Sequence, residues 1–378
     1  MNTPLRVVMV SAGFWPTVGG AERQALELSV ALVRGGAQVT VLTRRFGLLP
    51  SRQEVQGVVV RRLWTGGDGA LNSLTFLLGV LGWLFWHGDS YDAIHAHLAG
   101  SPALAAGCAG RFLNKPVVVK LGGGRGIGEL AASSRTGLGR LKLRTLSFLK
   151  PHFLAVVPDL AADARDYLPG ARIEVLPNGV DVDRFQPAAA GEKIALRVKL
   201  GWPSGPIFLY TGRFSPEKRL PWFSRIWVEA LGGRRATLIL VGDGSERKAL
   251  EAEAAASGGR VRIIPSTDNL TELYAAADAF VLPSTSEGLS NSLLEAMASA
   301  LCVIASAVGG TAETIENGVT GLLFARDDAA AAAACVRRVL DDPAASALGA
   351  NARRVCEQRY ALSRVAERCA ILYRREPA

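Results

Sequence analysis

Two glutamates in the C-terminal half of the chain, Glu287 and Glu295, are separated by seven residues at a predicted strand-to-helix junction. The apolar run Ala279–Leu282 predicts a buried strand, and the run after it favours a helix, so Glu287 falls in the loop and Glu295 in the helix. In an open α/β sheet such a junction lies at the carboxyl ends of the strands, where ligands bind, and helix amide groups there favour an anion. The two carboxylates therefore predict a site for an anionic ligand that carries hydroxyl groups.

A purely structural role would account for the same two residues. The segment Ser292–Glu295 fits a capping box, in which Glu295 would stabilise the start of the helix and Glu287 would be a solvated charge in a loop. The residues alone leave both interpretations open.

A second loop, Gly212–Arg219, follows the predicted strand Ile207–Thr211 and places the cations Arg213 and Lys218 at its carboxyl end. Arginine offers a forked set of donors and lysine a point charge. Together they would stabilise the negative charge that grows on a departing nucleoside diphosphate. The alternative is a solvated basic loop.

Near the N-terminus, Gly19 and Gly20 stand between a predicted strand, Arg6–Ser11, and a predicted helix, Ala21–Arg34. Because glycine has no side chain, backbone N–H groups at such a helix N-terminus can approach a phosphate closely. An ordinary tight turn is the alternative.

These segments, and most of the chain with them, resemble the retaining, nucleotide-sugar-dependent glycosyltransferases of family 4, which have the GT-B fold. The resemblance rests on four motifs: Pro-x-x-Gly-Gly from Pro16, Pro-Asn-Gly-Val-Asp-x-x-x-Phe from Pro177, Gly-Arg-x-x-x-x-Lys from Gly212, and Pro-Ser-x-x-Glu-Gly-Leu-x-Asn-x-x-Leu-Glu-Ala-Met-Ala from Pro283. A lone pair of glutamates at this spacing is a weak signal, and the surrounding residues make it specific.

The resemblance implies a role for each matching residue. Glu295 would bind the ribose hydroxyls, Glu287 would reach the donor sugar, and Arg213 and Lys218 would hold the donor diphosphate. The implied catalytic residues are Glu287, Arg213 and Lys218. The implied donor-binding residues are Gly19, Gly20, Arg213, Lys218, Gly242, Gly288, Leu289, Ser290 and Glu295.

The chain departs from the family at the loop after the predicted strand Val117–Leu121. The family often has Thr-x-His-Gly there, whereas this chain has Lys120-Leu121-Gly122-Gly123, without the histidine. We expect His97, Gly122 and Gly123 on the acceptor side. The departure leaves open the sugar contact of the missing histidine, and the substrate class with it.

At 378 residues the chain exceeds what one hydrophobic core usually holds, so two domains are expected. Strand and helix patterns alternate through both halves, which predicts two α/β, Rossmann-like, doubly wound domains. With the resemblance they imply a GT-B fold whose domains face a central cleft. We predict domains at residues 1–182 and 183–355, and a helix at residues 356–378 that crosses back to the first domain.

The sequence predicts neither a metal nor a cofactor. His95 and His97 alternate on one predicted strand, but no third ligand is evident near them. The glycine-rich run 122–128 resembles a dinucleotide-binding loop, yet Glu129 stands where the third glycine of that fingerprint is required.

The net charge of +9 fits nucleic acid, an anionic membrane surface or phosphorylated substrates as partners. No clustered aromatic residues accompany the basic residues, so we predict no nucleic acid partner. The run 130–158 is basic, contains no acidic residue and is partly amphipathic. Docking on anionic lipid head groups is one hypothesis for it, and a solvated basic helix is the alternative.

The most apolar run, Leu74–Trp86, is shorter than the roughly 20 residues that span a bilayer. We predict a core helix there, with an interfacial helix as the alternative. The N-terminus shows no targeting segment, and five cysteines without a Cys-x-x-Cys pair predict reduced thiols. These features predict a cytoplasmic protein, with a peripheral location on the inner face of the membrane as a further hypothesis.

The resemblance thus implies a retaining glycosyltransferase. It would move a sugar from a UDP- or GDP-sugar to an acceptor hydroxyl, for example on a lipid-linked or cell-envelope saccharide. Two alternatives share the architecture: a sugar-nucleotide 2-epimerase, and a non-catalytic protein that binds sugar nucleotides.

Overall fold

The computed structural model describes residues 3–16, 19–123, 126 and 128–374, so Gly124 of the glycine-rich loop lies outside the described residues. The chain divides into two compact units. The first contains the residues up to Gly179 and those from Leu362 onward, and the second contains Val180–Ala361.

The first unit is built on an eight-stranded sheet in the order β3-β4-β2-β1-β5-β6-β7-β8. Its strands are β1 (Arg6–Val10), β2 (Gln38–Arg44), β3 (Arg52–Val55), β4 (Val58–Leu63), β5 (Ala93–His97), β6 (Val117–Lys120), β7 (His152–Ala155) and β8 (Arg172–Val175). All neighbours are parallel except β3 and β4. Parallel strands need long crossovers, and helices supply them: α1 (Gly20–Arg34), α2 (Gly69–Trp86), α3 (Ser101–Leu113), α4 (Glu129–Ser134), α5 (Gly137–Leu149) and α6 (Pro158–Tyr167).

Strand β3 is missing from the sequence prediction. It is short and polar, lies at the edge of the sheet, and pairs with β4 through a two-residue turn. The turn residues Gln56 and Gly57 both have positive φ, 52° and 82°, as a tight hairpin turn requires. A polar edge strand lacks the apolar alternation that marks the buried strands, which explains why the pattern did not reveal it.

The second unit carries a six-stranded parallel sheet in the order β11-β10-β9-β12-β13-β14. Its strands are β9 (Ile207–Thr211), β10 (Thr237–Val241), β11 (Val261–Ile264), β12 (Ala279–Leu282), β13 (Cys302–Ser306) and β14 (Leu322–Phe324). Its helices are α7 (Ala190–Lys199), α8 (Leu220–Leu231), α9 (Arg247–Ala256), α10 (Leu270–Ala276), α11 (Asn291–Ala298), α12 (Gly309–Thr314), α13 (Ala329–Asp341) and α14 (Ala345–Val355). The apolar runs predicted as strands here form the fully buried centre of the sheet.

The chain leaves α14 through a π-helical turn, Cys356–Tyr360, and after Ala361 begins the last helix, α15 (Leu362–Tyr373). The predicted continuous helix is therefore interrupted at Ala361. Helix α15 packs against α1 and contributes Val365, Cys369 and Tyr373 to the buried core of the first unit.

Helix α2 is not a core helix, so that prediction is wrong. Only Phe76, Val80 and Leu84 of its eighteen residues are buried. These three residues recur every fourth position and form one face. Five other apolar side chains of the helix are exposed: Leu71, Leu74, Leu78, Phe85 and Trp86. The sequence pattern misled because the helix is apolar on every side.

Candidate active site

The carboxyl ends of β9, β12 and β13 lie side by side, because these parallel strands are neighbours in the sheet of the second unit. The loops that follow β9 and β12 carry Lys218 and Glu287. The amide of Thr285 donates to the carbonyl oxygen of Glu217 at 2.8 Å, which ties the two loops together. The structure thus brings together two residues that are 69 positions apart in sequence.

Glu287 is held by two donors. Its Oε1 accepts hydrogen bonds from Lys218 Nζ at 2.5 Å and from Ser284 Oγ at 2.6 Å. The two charged side chains are only 9% and 19% exposed, for Glu287 and Lys218 respectively. The alternative that Glu287 is a solvated loop charge is therefore wrong, because its carboxylate is desolvated and paired.

Glu295 does not cap its helix. The N-cap of α11 is Ser290, whose hydroxyl accepts from the amide of Leu293, and Ser292 is already inside the helix. Glu295 lies in the second turn and is 3% exposed. The capping-box interpretation is therefore wrong, and the burial of the Glu295 carboxylate needs another explanation.

Glycines let the turns after β9 and β10 approach each other. Gly242 has a φ of 153°, and a Cβ there would overlap the carbonyl oxygen of Gly212. Two backbone hydrogen bonds join the turns: Gly212 N–H donates to Val241 at 3.0 Å, and Phe214 N–H donates to Asp243 at 2.8 Å. The two turns are thereby held together beside the predicted diphosphate residues Arg213 and Lys218.

Arg213 is exposed at the start of this loop. Its carbonyl oxygen accepts a hydrogen bond from the phenol of Tyr210 at 2.9 Å, which fixes the backbone while leaving the guanidinium outside the core. Burial, together with the carboxylates of Glu287 and Glu217, raises the pKa of Tyr210 well above its usual value of 10. The phenol therefore stays a neutral donor.

The predicted acceptor-side residues, together with Gly19 and Gly20, belong to the first unit, whereas Gly288 and Leu289 lie in the second unit between Glu287 and Ser290. Gly19 precedes α1 as its N-cap, His97 ends β5, and Gly122 follows β6. Because β1, β5 and β6 are parallel neighbours, their carboxyl ends meet at the same edge of the sheet. The Oε1 atom of Glu129 accepts from the amides of Ala99 and Gly122, each at 3.1 Å, and so joins the ends of β5 and β6.

His95 and His97 are both buried, and their rings stack with centroids 4.6 Å apart. His95 Nδ1 lies 2.5 Å from the hydroxyl of Tyr373. Burial, reinforced by the charge of Lys120, lowers the pKa of His95 to about 3. Burial also lowers the pKa of His97 well below 6.5, aided by His95 and Lys120. Both rings are therefore neutral at pH 7.

Two residues of interest escaped the sequence analysis. Ser284 is fully buried and donates to Glu287. It lies inside the quoted motif, which was the available signal. Lys120 ends β6 opposite His97 and is buried, and this burial lowers the pKa of its amine to about 8. Only its place at a strand end could have indicated it.

Among the described residues, no group of three or more His, Cys, Asp or Glu side chains is arranged to hold a metal ion. All five cysteines are free thiols. The polar groups gathered at the strand ends are cations, carboxylates and backbone amides, a set suited to a phosphorylated, hydroxyl-rich ligand.

Two α/β units of mostly parallel strands, each with polar residues gathered at the strand ends, are the architecture of the GT-B class of glycosyltransferases. Residues 18–184 match the family model described as Glycosyltransferase Family 4, and residues 205–342 match the one described as Glycosyl transferases group 1. The chain is 30% identical to the 2-deoxystreptamine glucosyltransferase of Streptomyces kanamyceticus, over 85% of this chain and 89% of that protein. It belongs to the group 1 glycosyltransferases of family 4, and it is an enzyme of that kind.

Solved structures agree on the fold. The sucrose-phosphate synthase of Thermosynechococcus elongatus is similar with a TM-score of 0.78 at 24% identity, covering 98% of both chains. The HepE protein of Anabaena, in complex with UDP-glucose, is similar with a TM-score of 0.75 at 21% identity, covering 97% of this chain and 98% of that one. The family and the GT-B fold predicted from the sequence are confirmed.

Proposed function

We propose that this enzyme moves a sugar from a UDP- or GDP-sugar to a hydroxyl of a saccharide or lipid-linked acceptor, and that the anomeric configuration is retained. The observation that carries the proposal is the desolvated pair of Lys218 and Glu287, 2.5 Å apart at the ends of neighbouring strands. Relatives support the donor class, since HepE is described with UDP-glucose and the Streptomyces protein is a glucosyltransferase.

Each part of the second-unit site has a role in this proposal. Lys218 and Arg213 bind the diphosphate, and the backbone at Gly288 and Ser290, just before α11, offers N–H groups to its oxygens. Gly242 shapes the adjoining turn, since its own N–H already donates to the carbonyl oxygen of Ile264. Glu295 accepts hydrogen bonds from the ribose, and Glu287 contacts the sugar that moves. The Glu287 carboxylate also holds the Lys218 amine in position before the donor arrives.

The transfer step needs no base from the protein, because the departing phosphate can take the acceptor proton. The acceptor oxygen bonds to the anomeric carbon while the bond from that carbon to the diphosphate oxygen breaks, and its electron pair stays on the phosphate. The acceptor proton passes to the departing phosphate oxygen on the same face of the sugar. The protein's contribution is to position both substrates and to stabilise the growing charge. The acceptor-side residues fit this role, because Gly122 has no side chain and the low pKa of His97 makes it a weak base.

The test begins with a set of UDP- and GDP-sugars, each offered with and without saccharide acceptors. Transfer predicts nucleoside diphosphate release that depends on acceptor, and proton NMR of the product should show the anomeric coupling of the donor. An inverted coupling would refute retention.

The same assay separates the rival functions. An epimerase would change the sugar nucleotide without any acceptor. A binding protein would be stabilised thermally by a sugar nucleotide through mass action, with no turnover. Either pattern would overturn the proposal.

A further inference from the structure

Three helices form one layer on the first unit. Helices α2, α3 and α5 each lead from one strand to another further along the sheet in the same direction. Since crossovers between parallel strands are right-handed, helices that advance in one direction lie on one face of the sheet. Helix α2 packs against α3, and α3 packs against α5. Their outward sides therefore form one continuous surface.

This surface is apolar over much of its area. On α2 the exposed leucines and aromatics recur at helical spacing, and Phe85 meets Phe112 of α3 with ring centroids 6.1 Å apart. We call the following exposed residues the apolar outer face: Leu71, Leu74, Leu78, Phe85 and Trp86 on α2, Phe112 on α3, and Leu138, Leu141 and Phe148 on α5. Trp86 is 88% exposed and Phe148 is 80% exposed, and this many apolar side chains in one layer mark an interaction surface.

Cations lie beside the apolar side chains on α5. Arg140 and Arg144 are exposed one turn apart, and Arg135 and Lys150 are exposed at the two ends of the helix. The run 130–158 contains no acidic residue, and α2 contains no charged residue at all. The surface is therefore apolar and positive, the combination that favours anionic lipid head groups over water.

Within the described residues, α2 is the one helix long and apolar enough to cross a bilayer. It does not do so in this fold, because its inner face of Phe76, Val80 and Leu84 is fully buried against the protein and both its ends join strands of one sheet. A helix with one face in the protein and the other apolar face exposed is suited to lie in the plane of the membrane interface.

We infer that the apolar outer face is a membrane-docking surface, in which the α2 side chains enter the lipid interface while the arginines of α5 contact anionic head groups. A second copy of the chain fits this surface less well. A two-fold dimer through it would bring the arginines of both copies together without acidic partners on α5. The inference does not depend on the donor or on the stereochemistry proposed above.

The test uses the full chain in co-sedimentation with vesicles of phosphatidylcholine, alone or mixed with phosphatidylglycerol. We expect pelleting with the anionic vesicles only, and a decrease as salt is raised. The Arg140→Gln/Arg144→Gln variant should lower the partition coefficient by about twenty-five-fold, since each cation near an anionic surface contributes about fivefold. Leu78→Ser/Trp86→Ser should lower it by about tenfold or more through lost apolar burial.

Matched controls come from the second unit. Lys248→Gln/Arg337→Gln removes two exposed cations, and Ile194→Ser/Val198→Ser removes two exposed apolar side chains. Both should bind vesicles like the parent chain, and melting curves confirm that all variants are folded. If the α2 variant fails to fold, the α5 variant still decides the outcome.

Three results would overturn the inference. One is equal pelleting with neutral and anionic vesicles, or none with either. Another is pelleting that falls no more for the α5 variant than for the Lys248/Arg337 control. The third is a stable dimer in light scattering that Leu78→Ser/Trp86→Ser dissociates, with no vesicle binding, which would assign the surface to a second copy.

Discussion

At the scale of single residues, the Lys218 amine has two functions in its pair with Glu287. It neutralises a carboxylate that is almost buried, and it supplies a cation where the diphosphate is proposed to lie. We expect Lys218→Met to lower kcat by about tenfold to a thousandfold, the range seen when one preorganised donor is lost. Steady-state kinetics with saturating donor would measure it, and Lys248→Met on the exposed side of α9 is the control.

The same variant separates catalysis from stability. Of the two donors to Glu287, Lys218→Met removes the amine and leaves the hydroxyl of Ser284. The free energy of unfolding of the unliganded protein should therefore fall by roughly 1 to 3 kcal/mol. Lys218→Met/Glu287→Gln removes the unpaired charge and should recover much of that loss without recovering kcat. Unchanged kcat in Lys218→Met would contradict the role assigned to the amine.

Glu295 should behave differently, since it is assigned to the ribose and not to the sugar that moves. A contact that is equally strong in the ground state and the transition state affects KM more than kcat. We expect Glu295→Gln to raise the donor KM by about tenfold or more, the worth of one hydrogen bond to a charged group.

Exposed Glu229→Gln on α8 serves as the control for Glu295→Gln. A variant that melts early yet keeps the parent KM would mean that the buried carboxylate is structural.

At the scale of elements, close contact between the turns after β9 and β10 depends on Gly242. A Cβ there would press on the Gly212 carbonyl oxygen, so Gly242→Ala must push the two turns apart. Overpacking of this kind costs about 1 to 3 kcal/mol, and the displaced turn should also weaken donor binding. Thermal melts and titration with a nucleoside diphosphate would measure the two effects.

Gly258→Ala is a matched control for this prediction. Gly258 has a φ of 62° and nothing within 4 Å of its would-be Cβ, so the variant tests backbone strain without a clash. Equal losses of stability and affinity in both variants would show that the contact between the turns is unimportant.

The sequence pattern predicted the strands that are buried on both faces of the sheet. It failed for helix α2, which is apolar in composition but largely exposed. Strands such as Ile207–Thr211 and Ala279–Leu282 were predicted to the residue because a buried parallel strand is a short apolar run bounded by turn residues. Helix α2 was misjudged since an apolar pattern does not say which apolar face meets protein.

The site shows the same division. The sequence placed Lys218 and Glu287 in loops that follow predicted strands, and parallel strands bring their following loops to one edge of the sheet. The sequence did not predict that Glu287 accepts from Lys218 and Ser284, since that contact is set by the packing of two loops. The capping box failed for a related reason: Ser290, two residues before Ser292, begins the helix.

At the scale of the whole molecule, the free energy of unfolding depends on pH through two buried histidines of the first unit. His95 and His97 are neutral in the folded state, with pKa values of about 3 for His95 and well below 6.5 for His97. In the unfolded chain both return to about 6.5. Between pH 6.5 and about 3 the unfolded state therefore binds more protons than the folded state, so stability falls as the pH falls through this window.

We expect each histidine to contribute a slope of up to about 1.4 kcal/mol per pH unit below pH 6.5. Urea unfolding followed by circular dichroism at pH 7 and at pH 5 would measure it as a drop in the midpoint, beyond any shared effect of the carboxylates. His97→Gln removes one titrating ring, so its midpoint should fall less between the two pH values than that of the parent chain. Val119→Ala, a buried truncation on the adjacent strand β6, should lower the midpoint about equally at both. If the midpoint of His97→Gln falls between pH 7 and pH 5 as much as that of the parent chain, the buried ring is not the source of the acid sensitivity.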